Sequence, residues 1–256
     1  MLHESCAIRS TSSLPKIDIM LPRVNSLLIA CGDAMLDFST KAPHSYGASK
    51  GTFSPDAAFN KSGSYKVFKR LFDLTCSVAL VPLLLLFGFS LLILNPFFNA
   101  GSLFYVQERM GKDCRSFRAF KFRSMMASGG MERGAFDRLE HHRITRLGRL
   151  LRKCRIDELP QIINVLRGEM SLIGPRPDAL EHAKVYVLKI PGYRERCAAL
   201  PGISGYAQTE VGYVDGIEGV HNKVAADLYY LSKASVAFDL WIAWRTLQVV
   251  LLHRGA

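Results

Sequence analysis

The chain has 256 residues, a net charge of +11 and a 49% hydrophobic composition, enough for one sizeable core or a core plus a membrane element. Most of the charge excess lies between Arg109 and Arg155, where 14 Lys or Arg face 4 Asp or Glu. Such a block favours an anionic partner (lipid headgroups, a nucleotide phosphate or nucleic acid), with a solvated basic surface as the alternative. Six scattered cysteines form no Cys-x-x-Cys pair and no zinc-ligand spacing with His, which argues against a disulfide framework and points to reduced thiols in a cytosol-facing protein.

Residues 1–60 are weakly patterned. Ser39 to Ser64 is rich in Ser, Gly, Ala, Pro and Lys and reads as a flexible lead-in. Ile17 to Phe38 has the pattern of a short amphipathic helix. No cleavable signal is expected, because Pro22, Arg23, Asn25, Gly32 and Asp33 interrupt the apolar stretch from Met20 to Leu36. Lys66, Lys69 and Arg70 then precede a run without charge from Leu74 through Gln107, with a 21-residue apolar heart, Leu74 to Leu94. A straight span needs about 20 residues. Pro82 removes a backbone donor and disfavours helical geometry at Val81, so a bend is expected there. Basic residues flank both ends, with Arg109, Lys112, Arg115 and Arg118 following, and positive charge marks the cytoplasmic side. A bent helix that dips into one leaflet and returns satisfies both observations. A buried core helix and an ordinary span are the alternatives.

Leu103 to Gln107 and Phe117 to Phe122 have strand character and bracket Gly111-Lys112-Asp113, which predicts a hairpin. Ala127 to Glu140 reads as a polar loop. Ile144 to Leu151 reads as a helix with Ile144, Leu147, Leu150 and Leu151 on one face. A second short helix is expected from near Asp157, carrying Ile162, Ile163, Val165 and Leu166, with Pro160 tolerated in its first turn. Ala179 to Lys189 is expected to be helical, Pro191-Gly192 and Pro201-Gly202 mark turns, and Asn222 to His253 reads as one long helical region. Its Trp241 and Trp244 suit either core packing or a membrane interface.

The chemistry concentrates between Arg152 and Pro177. Asp157 and Glu158 are adjacent, and successive helical side chains diverge by about 100°, so distinct roles are more natural than a shared pocket. One would be a nucleophile, the other a metal ligand or orienting base. A helix N-cap is the structural alternative for Asp157. Arg152, five residues earlier, and Arg176, within Pro175-Arg176-Pro177, carry forks that match phosphate oxygens. Lys121 and Arg123, at the end of the second expected strand, are further phosphate candidates. Surface ion pairing is the alternative for each. No Walker-type or dinucleotide-binding glycine loop is present.

In combination these segments resemble the bacterial sugar transferases, the small monotopic phosphoglycosyl transferases, from about Tyr65 to the C-terminus. The resemblance rests on Lys69-Arg70-Leu71-Phe72-Asp73, Gln107-Glu108-Arg109-Met110-Gly111, Lys121-Phe122-Arg123-Ser124-Met125 and Arg143-Ile144-Thr145-Arg146-Leu147-Gly148. It continues through Asp157-Glu158-Leu159-Pro160-Gln161, then Gly168-Glu169-Met170-Ser171 running into Gly174-Pro175-Arg176-Pro177, and Pro201-Gly202-Ile203-Ser204-Gly205. It implies transfer of a sugar-1-phosphate from a UDP-sugar to undecaprenyl phosphate with release of UMP, as the first step of a lipid-linked exopolysaccharide, O-antigen or glycoprotein glycan. Asp157 would attack the β-phosphate to give an aspartyl-phosphosugar intermediate. Mg2+ (replaceable by Mn2+) would sit at Asp157 and Glu158, and Arg152 and Arg176 would bind phosphate.

The implied fold is α+β and mostly helical. A flexible extension over 1–60 would precede a basic approach and re-entrant membrane helix over 61–100, kinked at Pro82. A cytoplasmic catalytic domain with a short β-hairpin and membrane-interface helices would follow over 101–256. The implied setting is the cytoplasmic face of the bacterial inner membrane, with membrane lipids as partners, no nucleic acid, and a homo-oligomer left open. Two departures stand out. Val81-Pro82 replaces the family's frequent Ser-Pro, and Thr209-Glu210-Val211-Gly212-Tyr213 follows Gln208 where an Asn-Gly-Arg is common, so that arginine's contact does not carry over. An inactive membrane-anchored scaffold is the competing reading; it would not need the dyad and the Pro-Arg-Pro turn. A basic nucleic-acid binder would not need the apolar run, and no nucleic-acid-binding motif is recognised.

Overall fold

The structure, a computed structural model, describes residues 62–99, 101–126, 134–136, 141–212 and 216–251. The extension over 1–60, its Ile17–Phe38 helix and most of the loop expected over Ala127–Glu140 lie outside the described residues. The fold is α+β and mostly helical, with one long apolar helix and a small β-hairpin.

The apolar run lies in helix α1, Gly63–Phe98, 36 residues, or roughly 54 Å at 1.5 Å per residue. Its helical assignment continues through both Pro82 and Pro96. Asp73, Ser77, Leu84, Leu91 and Asn95 are its buried residues, spaced so that they form one stripe. The opposite face is exposed: Leu85 and Phe89 are each 67% exposed and Phe97 78%. An apolar face of this extent marks a membrane contact, and α1 is long and apolar enough to cross a bilayer.

The buried stripe docks α1 on the rest of the chain from end to end. Lys69 pairs with Asp239 at 2.9 Å, and Asp239 also accepts from Tyr65 at 2.8 Å and Tyr230 at 2.7 Å. Arg70 donates to the carbonyls of Val165 and Leu166. Asp73 accepts the Leu172 amide at 2.9 Å. Leu84 and Leu91 pack with Phe122, Leu151 and Ile162, and at the far end Asn99 donates to the Arg123 carbonyl at 2.7 Å.

The expected hairpin is present. Strands β1, Phe104–Met110, and β2, Ser116–Phe122, pair antiparallel from Phe104↔Phe122 to Met110↔Ser116. Asp113 and Cys114 turn it in the left-handed region at φ 54° and 57°. Helix α2, Arg146–Lys153, starts where Thr145 caps it by accepting the Gly148 amide at 2.9 Å. Gly148 has no room for a side chain, since a Cβ there would lie 1.9 Å from the Ser124 carbonyl oxygen.

Arg155 then reverses the chain in the left-handed region, φ 58°, into a 3-10 turn over Ile156–Gln161 that leads to the short helix α3, Ile162–Leu166. The single helix expected from Asp157 is therefore divided. Pro160 offers no amide to an i−4 carbonyl, and the tighter turn accommodates that loss. Asn164, fully buried, ties α3 to β2: it accepts the Phe120 amide and donates to the carbonyl of Arg118 and the carboxylate of Glu169.

Two very short strands, β3, Ser171–Ile173, and β4, Gly202–Ser204, pair in parallel. Their approach requires Gly202, where a Cβ would fall 2.2 Å from the Gly174 amide nitrogen. The sequence reading marked only a turn at Pro201-Gly202. Helices α4, Leu180–Lys189, and α5, Tyr193–Arg196, lie between them, and α6, Tyr206–Glu210, follows.

The long region expected over Asn222–His253 is two helices, α7, Gly216–Lys233, and α8, Val236–Leu251. Ser235 breaks it: its hydroxyl accepts the Phe238 amide, starting a new helix that turns Asp239 towards Lys69. Trp241 is buried among Tyr206 and Phe238, whereas Trp244 is 53% exposed.

The junction between α1 and α8 thus rests on a partly buried ion pair with two tyrosine hydroxyls. Asp239→Ala leaves Lys69 unpaired and should cost about 3–5 kcal/mol. Asp239→Asn, which still accepts from both tyrosines, should cost less. Denaturant titration in detergent micelles checks the order of the two variants.

Candidate active site

Asp157 and Glu158 sit on the 3-10 turn, 6% and 5% exposed, with very different surroundings. Glu158 is saturated by cations. Lys121, from β2, donates to its Oε1 at 2.8 Å. Arg176 grips both oxygens, with Nη1 3.0 Å from Oε2, and the Arg155 guanidinium lies 3.6 Å away. Asp157 has no such partner: its Oδ1 is buried without a hydrogen bond among the described residues, and so is Nη1 of Arg152.

The two carboxylates consequently separate in acidity. Burial works against Glu158's charge, but Arg176 and Lys121 overcome it and hold its carboxyl well below the usual range. Burial, and then the charge of Glu158, push Asp157 up, against the opposing pull of Lys121, Arg152 and Arg176. Burial, with Arg109 and Arg176 nearby, pushes the Lys121 ammonium down to about 8 despite Glu158.

Arg176 is held from behind. Arg196 donates to the Arg176 carbonyl at 2.8 Å, and its own charge is balanced by Asp227 and Asp178, each at 2.8 Å. Asp178 also accepts from Tyr193 and Lys223. Burial opposes its charge, but Lys223 and Arg196 hold its carboxyl far below the ordinary value. From the hairpin, Arg109 donates to the Pro177 carbonyl and Met110 bonds the Asp178 carbonyl. The Pro-Arg-Pro turn is therefore clamped on both flanks, and the guanidinium is preorganised.

The structure brings Lys121, Asp157, Glu158 and Arg176 together and places Arg152 within electrostatic reach of Asp157. Arg123 is not among them: its side chain donates to Ser102, beyond the end of β2. The N-cap alternative for Asp157 is not what is seen, because Arg155 occupies the position before the turn and the turn has no side-chain cap. Pro82 lies inside α1, away from the dyad's contacts. The sequence reading gave no site role to Arg155, Arg196, Asp178 or Asp227, and used Arg109 only as a topology signal and a motif residue. Among the described residues no group of three or more His, Cys, Asp or Glu side chains is placed to hold a metal ion. One free carboxylate oxygen, on Asp157, fits a hard cation that draws its other ligands from water and phosphate, as Mg2+ does. Glu158 would have to release a cationic partner to join it.

The model of the family described as "Bacterial sugar transferase" matches residues 64–253. The chain belongs to the bacterial sugar transferase family. Its relatives include the UDP-N-acetylgalactosamine-undecaprenyl-phosphate N-acetylgalactosaminephosphotransferase of Aeromonas hydrophila, 37% identical over 192 residues, 75% of this chain and 45% of that protein. The UDP-glucose:undecaprenyl-phosphate glucose-1-phosphate transferase of Caulobacter vibrioides is 36% identical over 72% of this chain and 67% of its own length. The exopolysaccharide production protein PSS of Rhizobium leguminosarum is 35% identical over 74% and 97%. The match thus spans under half of the Aeromonas relative and nearly all of the Rhizobium one.

The contrast within the dyad is measurable in stability. Asp157 keeps its proton in the folded chain at pH values where the unfolded chain has released it, so folding stability falls as pH rises through that window. At neutral pH Asp157→Asn removes this penalty and should leave the sugar transferase as stable or more so. Glu158→Gln strips the shared counter-ion from Lys121, Arg155 and Arg176, and should cost about 3–5 kcal/mol. Urea denaturation of both variants in micelles tests the opposite signs.

Proposed function

We propose that the protein transfers a sugar-1-phosphate from a UDP-sugar to undecaprenyl phosphate, releasing UMP, to begin assembly of a lipid-linked glycan. The observation that carries this reading is the buried oxygen of Asp157, without a hydrogen-bond partner among the described residues, beside arginines and a lysine fixed by Glu158. The printed activities of the Aeromonas and Caulobacter relatives support it.

Asp157 Oδ1 attacks the β-phosphorus of the donor. The new O–P bond forms as the bond to the α-phosphate oxygen breaks, and UMP leaves with that oxygen. An oxygen of the lipid phosphate then attacks the same phosphorus. The lipid pyrophosphoryl-sugar leaves and Asp157 returns as a carboxylate. Arg176 and Arg152 present donors to the phosphate oxygens where charge gathers. Lys121 adds a positive charge, and Glu158 keeps these cations in place. A magnesium ion held through Asp157 would neutralise pyrophosphate charge, with manganese as a substitute. Arg123, engaged with Ser102, has no part in this scheme.

Both ends of α1 and its middle dock on the same folded body. This supports a re-entrant helix that enters and leaves one leaflet, with the active site on the cytoplasmic face of the inner membrane.

Release of UMP by the full chain, with a panel of UDP-sugars, undecaprenyl phosphate and Mg2+, tests the proposal. At least one donor should turn over, and Asp157→Asn should lose on the order of a thousandfold or more. Silence with every donor would refute it. The pH profile should be bell-shaped. Activity should fall on the acid side as Asp157 takes up its proton, and on the alkaline side above about pH 8 as Lys121 loses its own. Lys121→Arg, whose cation persists at all these pH values, should remove the alkaline limb.

A further inference from the structure

Two thiols that the chemistry above does not use meet behind the Pro-Arg-Pro turn. Cys114 turns the hairpin in the left-handed region, φ 57°, which a non-glycine residue seldom adopts. Its neighbour Asp113, also left-handed, donates its amide to the Cys197 carbonyl at 2.7 Å. Cys197 closes α5 and is buried, and Cys114, partly exposed, packs against the cluster that contains it. The two sulfurs are near enough to act on one another. The other described cysteines lie elsewhere, Cys76 within α1 and Cys154 at the end of α2.

The pair joins the two flanks of the clamp on Arg176. One flank comes from the hairpin, where Arg109 donates to the Pro177 carbonyl and the Met110 amide to that of Asp178. The other comes from α5, where Arg196 donates to the Arg176 carbonyl at 2.8 Å. Cys114 follows Met110 by one tight turn, and Cys197 directly follows Arg196. We propose that Cys114 and Cys197 form a thiol oxidation site at which hydrogen peroxide closes a disulfide, strapping the hairpin to α5 and holding the clamp on Arg176 shut.

Exposure assigns the two roles. Cys114 reaches solvent, so its thiolate attacks the peroxide. An S–O bond forms as the O–O bond breaks, and the departing hydroxide takes up the released thiol proton as water. Cys197 is the resolving partner. Burial, against the pull of Arg196, pushes its thiol up to about 12, and it donates to the Tyr193 carbonyl at 3.4 Å. Its sulfur displaces the sulfenic hydroxyl of Cys114: the S–S bond forms, the S–O bond breaks, and the second hydroxide leaves as water with the Cys197 proton. Two thiols and one peroxide give one disulfide and two waters. The loop so closed contains Asp157, Glu158 and Arg176, and a cross-link of that reach restrains the unfolded chain strongly.

The test uses the full chain in micelles with Cys6, Cys31, Cys76 and Cys154 replaced by Ser, and none of its readouts needs turnover. Brief exposure to hydrogen peroxide should remove two hydrogens from the intact mass. Peptide mapping without reduction should join the Cys114 and Cys197 peptides, and a thiol reductant should reverse both results. Closure should raise the melting temperature by roughly 5 °C or more. It should also slow hydrogen exchange at least tenfold at the Met110 and Asp113 amides, whose bonds hold the hairpin to the turn and to α5. Cys114→Ser, at the partly exposed hairpin turn, should show none of these changes. Peroxide that only adds oxygen to Cys114, or that leaves both thiols free, would overturn the site. A disulfide that forms without slowing exchange at those amides would overturn the strap.

Discussion

The carboxylate of Glu158 is the interaction on which the site depends. It brings Lys121 from the hairpin, Arg155 from the chain reversal and Arg176 from the Pro-Arg-Pro turn to one point. Three cations so close would repel one another and, being partly desolvated, would each be costly without it. With it, they form a fixed cluster of positive charge. The same arrangement leaves Asp157 Oδ1 without a hydrogen bond among the described residues, so the two neighbouring carboxylates sit in opposite surroundings. Asp157 is uncomfortable in the folded state, as groups kept for chemistry often are.

The remaining structure serves to hold that cluster. Asn164 locks β2, and hence Lys121, to the helix that follows the dyad. Arg196 grips the backbone of Arg176 and is itself neutralised by Asp178 and Asp227. The apolar helix α1 is not a separate anchor. Asp73 receives a backbone amide from β3, and Leu84 and Leu91 share a cluster with Phe122 and Ile162. The apolar helix and the elements that carry the charged cluster therefore share one core.

Much of this could be read from the sequence, for reasons that differ by residue. The hairpin showed in its alternation, and α1 in its uncharged run. Lys121, Asp157, Glu158 and Arg176 stood in a dense, ordered set of motifs. Arg123 was grouped with Lys121 as a phosphate candidate at the end of the second strand; the strand ends at Phe122, and in the structure Arg123 donates to Ser102. Arg196 pairs with a residue 31 positions away, and Lys69 with one 170 away. No local pattern shows such partners, so Arg196 drew no reading and Lys69 served as a topology signal. The break at Ser235 carries no Gly or Pro, and its only mark is a serine able to cap.

The central claim is that Asp157 becomes phosphorylated by the donor. The direct measurement is intact-mass and peptide mass spectrometry of the full chain after brief exposure to a competent UDP-sugar and Mg2+ without lipid acceptor. The account predicts a mass increase equal to one sugar phosphate, located on the peptide that contains Asp157 and discharged when undecaprenyl phosphate is added. An adduct on another residue, or rapid turnover with no adduct at any time, would contradict it.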